Sequence, residues 1–120
     1  MRRRLLPVIA VAALALPPTA FAVASATRLA GTTGPGFTIT LKKAGKKVTT
    51  LTRGKYTITV SDKSKQHDFF LNGPGIRNLR VTGLSFVGTK TVTVTLRKGR
   101  YEYYCKPHRS LGMRGFFTVK

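Results

Sequence analysis

From Phe37 onward, apolar and polar side chains alternate along the chain. Phe37, Ile39 and Leu41 are interleaved with Thr38, Thr40 and Lys42, and Tyr56, Ile58 and Val60 with Thr57, Thr59 and Ser61. Val92, Val94 and Leu96 alternate with Thr91, Thr93 and Thr95 in the cleanest run of all. A period of two puts successive side chains on opposite faces of an extended strand. Val48 and Leu51 mark a further short run, Tyr101, Tyr103 and Cys105 share one face of another, and Phe117 and Val119 share a face of the last. Arg53-Gly54, Gly73-Pro74-Gly75, Gly83, Gly88 and Lys98-Gly99 punctuate these runs as turns. No helical stripe competes with them. The pattern predicts an all-β domain over residues 37–120, an antiparallel sandwich or barrel of about seven to eight strands.

The first 36 residues read differently. Arg2-Arg3-Arg4 precedes an apolar run from Leu5 to Leu16, Pro17-Pro18 closes it, and Ala22-Val23-Ala24 and Ala24-Ser25-Ala26 offer small-x-small cleavage sites. This is the layout of a secretory signal peptide over residues 1–26, cleaved after Ala26. The apolar run is short of the roughly 20 residues of a membrane span. Residues 27–36, rich in Gly and Thr, read as a short flexible lead-in.

Charge changes the picture only so far. Twenty-two Lys and Arg face three acids, Asp62, Asp68 and Glu102, for a net charge of +19; loss of Arg2, Arg3 and Arg4 with the signal lowers it to +16. Such a balance points to acidic partners or anionic envelope polymers. Nucleic acid is not expected, because the chain is exported and carries no nucleic-acid fold signature. Two His, one Cys and three acids leave little for catalysis. A four-cysteine zinc site and an intrachain disulfide are impossible with one Cys.

Those scarce residues have a pattern of their own. His67, Cys105, His108 and Met113 include both histidines, the only cysteine and the only methionine besides Met1. The last three fall as Cys-x2-His-x4-Met, and His67 lies 38 residues upstream of Cys105. One thiolate, two imidazoles and a weak thioether are the ligands of a blue-copper centre, a donor set acceptable to both soft cuprous and harder cupric ions. Pro107 would stiffen the turn that returns His108 to the metal, and Gly112 would free the backbone so that Met113 can approach axially. Further coppers of the oxidase or nitrite-reductase type need histidines the chain lacks, so a self-contained enzyme is not expected.

The run Gly99-Arg100-Tyr101-Glu102-Tyr103-Tyr104-Cys105-Lys106-Pro107-His108, followed by Gly112-Met113-Arg114-Gly115, resembles the carboxy-terminal signature of plastocyanin-like cupredoxins. Gln66-His67-Asp68-Phe69-Phe70-Leu71 is similar to the upstream half of small secreted bacterial members. The resemblance implies a Greek-key β-sandwich with one type 1 copper, held by His67, Cys105 and His108 with Met113 as the weak axial ligand. It also implies that His108 lies near the surface as the electron-transfer edge and that Tyr104 serves a second electron path. Asp68 stands where the family commonly has an asparagine that braces the ligand loop. The acidic docking face of plant plastocyanins is missing: Arg97, Lys98, Arg100, Lys106 and Arg109 surround the site in sequence.

The expected role is thus that of an extracytoplasmic, monomeric one-electron carrier serving a redox partner with an acidic face. A copper chaperone, scavenger or store is the alternative, and a basic surface-binding sandwich stands third. Tyr101 reads as a tyrosine-corner residue. Gly73-Pro74-Gly75, with Pro107 and Leu111, is a candidate apolar rim around His108.

Overall fold

The two stretches with the strictest alternation pair with each other. In the computed structural model, which describes residues 5–20 and 25–120, Gly54–Asp62 and Gly88–Leu96 run antiparallel from Gly54 opposite Leu96 to Asp62 opposite Gly88. Tyr56, Ile58, Val60, Val94 and Leu96 point inward and are buried, while the threonines between them face out. The described residues form ten strands: β1 (Thr27–Thr33), β2 (Ile39–Lys43), β3 (Lys46–Lys47), β4 (Thr50–Leu51), β5 (Gly54–Asp62), β6 (Phe69–Gly73), β7 (Ile76–Thr82), β8 (Gly88–Leu96), β9 (Gly99–Tyr104) and β10 (Arg114–Val119). A 3-10 helix, Lys106–Leu111, separates β9 from β10.

These strands make two five-stranded sheets, ordered β3-β2-β1-β5-β8 and β4-β10-β9-β6-β7. The chain leaves the first sheet after β5, returns to it for β8 and leaves again, as in a Greek-key sandwich. Leu29, Leu41, Ile58 and Val60 from one sheet meet Phe69, Leu71, Tyr101, Tyr103 and Phe117 from the other in a single core. The all-β sandwich of the sequence analysis is therefore present, with one refinement. The sheets are mixed: β1 pairs with β5, and β4 with β10, in parallel.

β1 also corrects the expected domain layout. Thr27–Thr33 is not a flexible lead-in; it lies between β2 and β5 in the middle of its sheet. Its inward positions are Leu29, Gly31 and Thr33, all buried, and only one of the three is an apolar side chain. Gly31 suits that place because a Cβ there would come within 3.0 Å of Val60 and 3.1 Å of Phe69. Residues 5–20 form no helix or strand, and no helix among the described residues is long and apolar enough to cross a membrane. Arg2-Arg3-Arg4 and Ala22-Val23-Ala24, which carry the charge and one cleavage site of the expected signal, lie outside the described residues.

Tyr101 fixes the end of the sandwich remote from Cys105. Its buried hydroxyl donates to the Pro74 carbonyl at 2.6 Å and accepts the Arg97 amide at 2.9 Å, the bonding of a tyrosine corner. Gly73-Pro74-Gly75 therefore lies at the Gly99 end of β9 and forms no rim around His108; its turn was expected, its docking role is corrected. Tyr101→Phe should lower unfolding stability by about 1–3 kcal/mol, because the Arg97 amide loses its acceptor. Denaturant titration measures this, and the copper-loaded protein should keep its spectrum.

Candidate metal centre

Alternation along β9 carries Tyr101, Tyr103 and then Cys105 inward, and each is 0–1% exposed. The chain turns directly after Cys105. Pro107 sits at the start of the 3-10 helix, where its missing amide is no loss, and the His108 amide donates to the Cys105 carbonyl at 3.2 Å. Gly112 ends the helix in the left-handed region, φ 89°, and its amide donates to the Arg109 carbonyl at 3.1 Å. The Met113 amide then donates to the His108 carbonyl at 3.2 Å, and the Cys105 amide donates to the Met113 carbonyl at 3.0 Å. The segment from Cys105 to Met113 is thereby closed on itself, with Met113 buried.

His67 arrives from the loop between β5 and β6. A small turn holds it: the Ser64 amide donates to Asp62 Oδ1 at 3.2 Å, and the His67 amide donates to the Ser64 carbonyl at 3.2 Å. The imidazole is buried, and its Nε2 lies 3.2 Å from the Pro35 carbonyl. A carbonyl can only accept, so Nε2 carries the hydrogen and Nδ1 presents its lone pair. That Nδ1 lies 3.0 Å from His108 Nδ1 and 3.7 Å from Cys105 Sγ, and the sulfur is 3.5 Å from His108 Nδ1. The three ligand atoms all fall within 4.8 Å of one another, as His67, Cys105 and His108 converge on one point.

The donors fit copper. A sulfur and two imidazole nitrogens around one point are soft enough for the cuprous ion and basic enough for the cupric. Burial pushes the Cys105 thiol above its ordinary pKa, so a metal entering here must displace its proton. His108 is half-exposed, and Pro107 and Leu111 beside it are exposed.

Asp68 performs the bracing expected of an asparagine. Its Oδ1 accepts the Lys106 amide at 2.6 Å, tying the His67 loop to the residue after Cys105, and its carbonyl accepts the Thr33 hydroxyl at 3.1 Å. Burial raises the Asp68 carboxyl above the usual range, opposed by that Lys106 amide. Asp68→Ala should cost about 1–3 kcal/mol by leaving the Lys106 amide without its acceptor, whereas Asp68→Asn keeps an acceptor and should cost less. Denaturation of the two metal-free variants gives the comparison.

Three features of the site were not legible in the sequence. Phe37, grouped by alternation with Ile39 and Leu41, does not face the core: it precedes β2, is 64% exposed, and sets its ring edge-on to both histidines, 5.6 Å from His67 and 4.7 Å from His108. Tyr104, on the outward side of β9 by alternation, is nevertheless only 6% exposed. It stacks on Phe70 at 5.4 Å, donates to Asn78 Oδ1 at 2.8 Å and lies under Arg109. Glu102, also on that outer face, takes Arg109 in a two-pronged ion pair, with Nη2 donating to Oε2 at 3.0 Å. Arg109 belongs to the 3-10 helix, so this pair and Tyr104 clamp the ligand-bearing turn onto β9.

Comparison with known proteins agrees with this geometry. Residues 38–120 match the family of copper binding proteins of the plastocyanin/azurin type. Plastocyanin A'/A'' of Nicotiana tabacum is 38% identical over 63 residues, 52% of this chain and 50% of that protein, so the match spans about half the length of the relative. Reduced rusticyanin shares the fold with a TM-score of 0.58 at 24% identity, covering 82% of each chain. Reduced auracyanin from Roseiflexus castenholzii does so with a TM-score of 0.57 at 21% identity, covering 81% of this chain and 99% of its own.

Proposed function

This chain belongs to the plastocyanin/azurin family of copper-binding proteins, and from that premise we propose that it is an extracytoplasmic one-electron carrier and not an enzyme. The observation that carries the reading is the convergence of His67 Nδ1, Cys105 Sγ and His108 Nδ1 within 4.8 Å behind a half-exposed histidine edge. His67, Cys105 and His108 would hold the copper as its strong donors, with Met113 as a weaker fourth. Copper bound there supplies one-electron chemistry by alternating between its cuprous and cupric states.

The remaining residues keep the donors in place. The Pro35 carbonyl selects the tautomer of His67, Asp68 ties the first ligand loop to Lys106, and Glu102 with Arg109 holds the turn that bears His108. Phe37 sets its ring edge-on against both imidazoles. A cage braced on several sides suits electron transfer, because donors that stay put need little rearrangement when the charge changes. Both histidines of the chain are spent on this one site, which leaves none for further coppers. Export is supported by Arg2-Arg3-Arg4 and the apolar run that follows; amino-terminal sequencing of the protein from its native host should begin at Thr27. Tyr104 as a second electron path is part of the same proposal, as is a redox partner with an acidic face.

The test is spectroscopic and kinetic. The copper-loaded protein should absorb intensely in the visible from thiolate-to-copper charge transfer and exchange electrons rapidly between its own two redox states. A colourless cupric form with ordinary spin-resonance splitting overturns the assignment of the ligands. An intensely coloured protein with slow self-exchange and ready release of copper to an acceptor overturns the carrier role in favour of copper storage or delivery.

A further inference from the structure

The charge of this protein is gathered most densely far from any compensating acid. β2 and β3 form a hairpin through Ala44 and Gly45, both at positive φ as a tight two-residue turn requires, and it carries Lys42, Lys43, Lys46 and Lys47. Lys42 is directly opposite Lys47, and Lys43 directly opposite Lys46. Like charges in such positions repel, on the scale of about 0.2–1 kcal/mol per pair. No acid offsets them: Asp62, Asp68 and Glu102 are all buried, and the one salt bridge among the described residues joins Glu102 to Arg109.

Lysines on an edge strand are an ordinary guard against unwanted strand pairing. That role accounts for charge on the hairpin but not for what lies beneath one of its faces. Lys42 and Lys47, with Arg114 of β10, rim a hollow of about 220 Å³ floored by Ile39, Tyr103 and Gly115. Lys43 and Lys46, one step along each strand, take no part in it. Arg114 lies beside the ring of Phe116, at 5.3 Å, which limits its freedom before anything binds. The volume is below the roughly 300–1,000 Å³ of small-molecule pockets, and so suits a single side chain. The hollow also begins one residue beyond Met113, at the metal end of the sandwich.

We propose that this hollow seats the docking segment of an acidic redox partner protein: one aromatic or aliphatic side chain rests on Ile39 and Gly115, and flanking carboxylates meet Lys42, Lys47 and Arg114. The inference rests on the carrier role proposed above and locates its partner. An anionic polymer needs only charge, which the surface offers widely, and has no use for an apolar floor. A protein segment uses both, with the anchor giving residence and the charges giving fast, salt-dependent encounter. The Lys42–Lys47 pair is kept despite its repulsion because its relief comes from the partner's carboxylates.

The experiment titrates the copper-loaded, reduced protein, labelled with nitrogen-15, with the capped peptide Asp-Glu-Phe-Glu-Asp. The backbone amides of Lys42, Lys47, Arg114 and Gly115 should shift and saturate together. Lys42→Gln with Lys47→Gln should weaken binding at least tenfold, while the same charge removal at Lys43→Gln with Lys46→Gln should change it less than twofold. Replacing the Phe of the peptide by Ala should also weaken it several-fold. Equal weakening by both lysine doubles, equal binding of the Ala peptide or of polyphosphate of matched charge, or shifts centred on His108 and Leu111 would each overturn the proposal. Visible absorption is measured on the same preparation after oxidation to the cupric form, and self-exchange on a mixture of its two redox states. A protein that is intensely coloured when oxidised, exchanges electrons rapidly and leaves the peptide unbound overturns the docking site alone; a colourless cupric form overturns the carrier role independently.

Discussion

Cys105→Ser should leave a folded protein that develops no intense visible absorption with copper and is hardly stabilised by it. The thiolate is the only strong sulfur donor the chain possesses, and it stands 3.7 Å and 3.5 Å from the two imidazole nitrogens it joins. A serine hydroxyl keeps its proton at neutral pH and is a harder, weaker ligand. For the unmodified protein, copper a thousandfold above its dissociation constant adds about 4 kcal/mol to the folded state. In a domain of this size that raises the unfolding midpoint by on the order of 15–30 °C. The serine variant should stay within a few degrees of the metal-free protein, since two histidines and a thioether retain only loose affinity. Calorimetry with and without copper, beside the absorption spectrum, reads both effects. A serine variant that keeps its colour would show that Cys105 is not the sulfur in the centre.

That four-residue set was open to sequence reading because scarcity and spacing coincide in it. With two histidines and one cysteine in the chain, any metal reading had to use them, and Cys-x2-His-x4-Met places three donors within one turn. The strands that frame the site were legible for a similar reason. β5 and β8 carry Tyr56, Ile58 and Val60, and Val92, Val94 and Leu96, at alternate positions, so a period of two shows through. β1 fills two of its three inward positions with Gly31 and Thr33, because the space against Val60 and Phe69 admits nothing bulkier at Gly31. Its inward face is buried without being apolar, and hydropathy is blind to it.

The braces were hidden for a different reason: they depend on pairings between distant segments. Nothing local to Phe37 says that the chain bends before β2 and turns the ring outward over two histidines 30 and 71 residues further on. Nothing local to Glu102 says that it is buried, since the arginine that satisfies it is seven residues away across a turn whose shape only the structure fixes. Tyr104 is on the outward side of β9 as alternation requires, yet Phe70, Asn78 and Arg109 cover it. Alternation assigns a face; whether that face is wet depends on what else packs there.

Gly73→Ala should be the most damaging single methyl group that can be added to this fold. A Cβ at Gly73 would lie 2.2 Å from Cδ1 and 2.6 Å from Cγ of Tyr101, whose ring covers the glycine from the neighbouring strand. The ring has nowhere to go: its hydroxyl is held by Pro74 and Arg97, and its other neighbour is Phe117, stacked at 5.3 Å. Replacing a strand glycine by alanine removes disorder from the unfolded chain, a gain of about 0.4–1 kcal/mol where the backbone permits it. Overpacking a rigid core contact costs about 1–3 kcal/mol and sometimes more, so the clash wins. We expect a loss of about 2 kcal/mol or more in denaturant unfolding. The same geometry recurs at Gly115, where a Cβ would lie 2.3 Å from Cζ of Tyr103, its register partner on β9. The two variants should nevertheless part in their spectra. Gly73 lies at the end of the sandwich remote from Cys105, so Gly73→Ala, studied cold enough to stay folded, should keep the visible band of the parent. Gly115 stands two residues after Met113, and pushing β10 away from Tyr103 moves the Met113 carbonyl that accepts the Cys105 amide. Gly115→Ala should therefore lose stability and shift its copper absorption together. Two variants that are equally destabilised and equally unchanged in colour would show that the ligand turn is insulated from the strand that follows it.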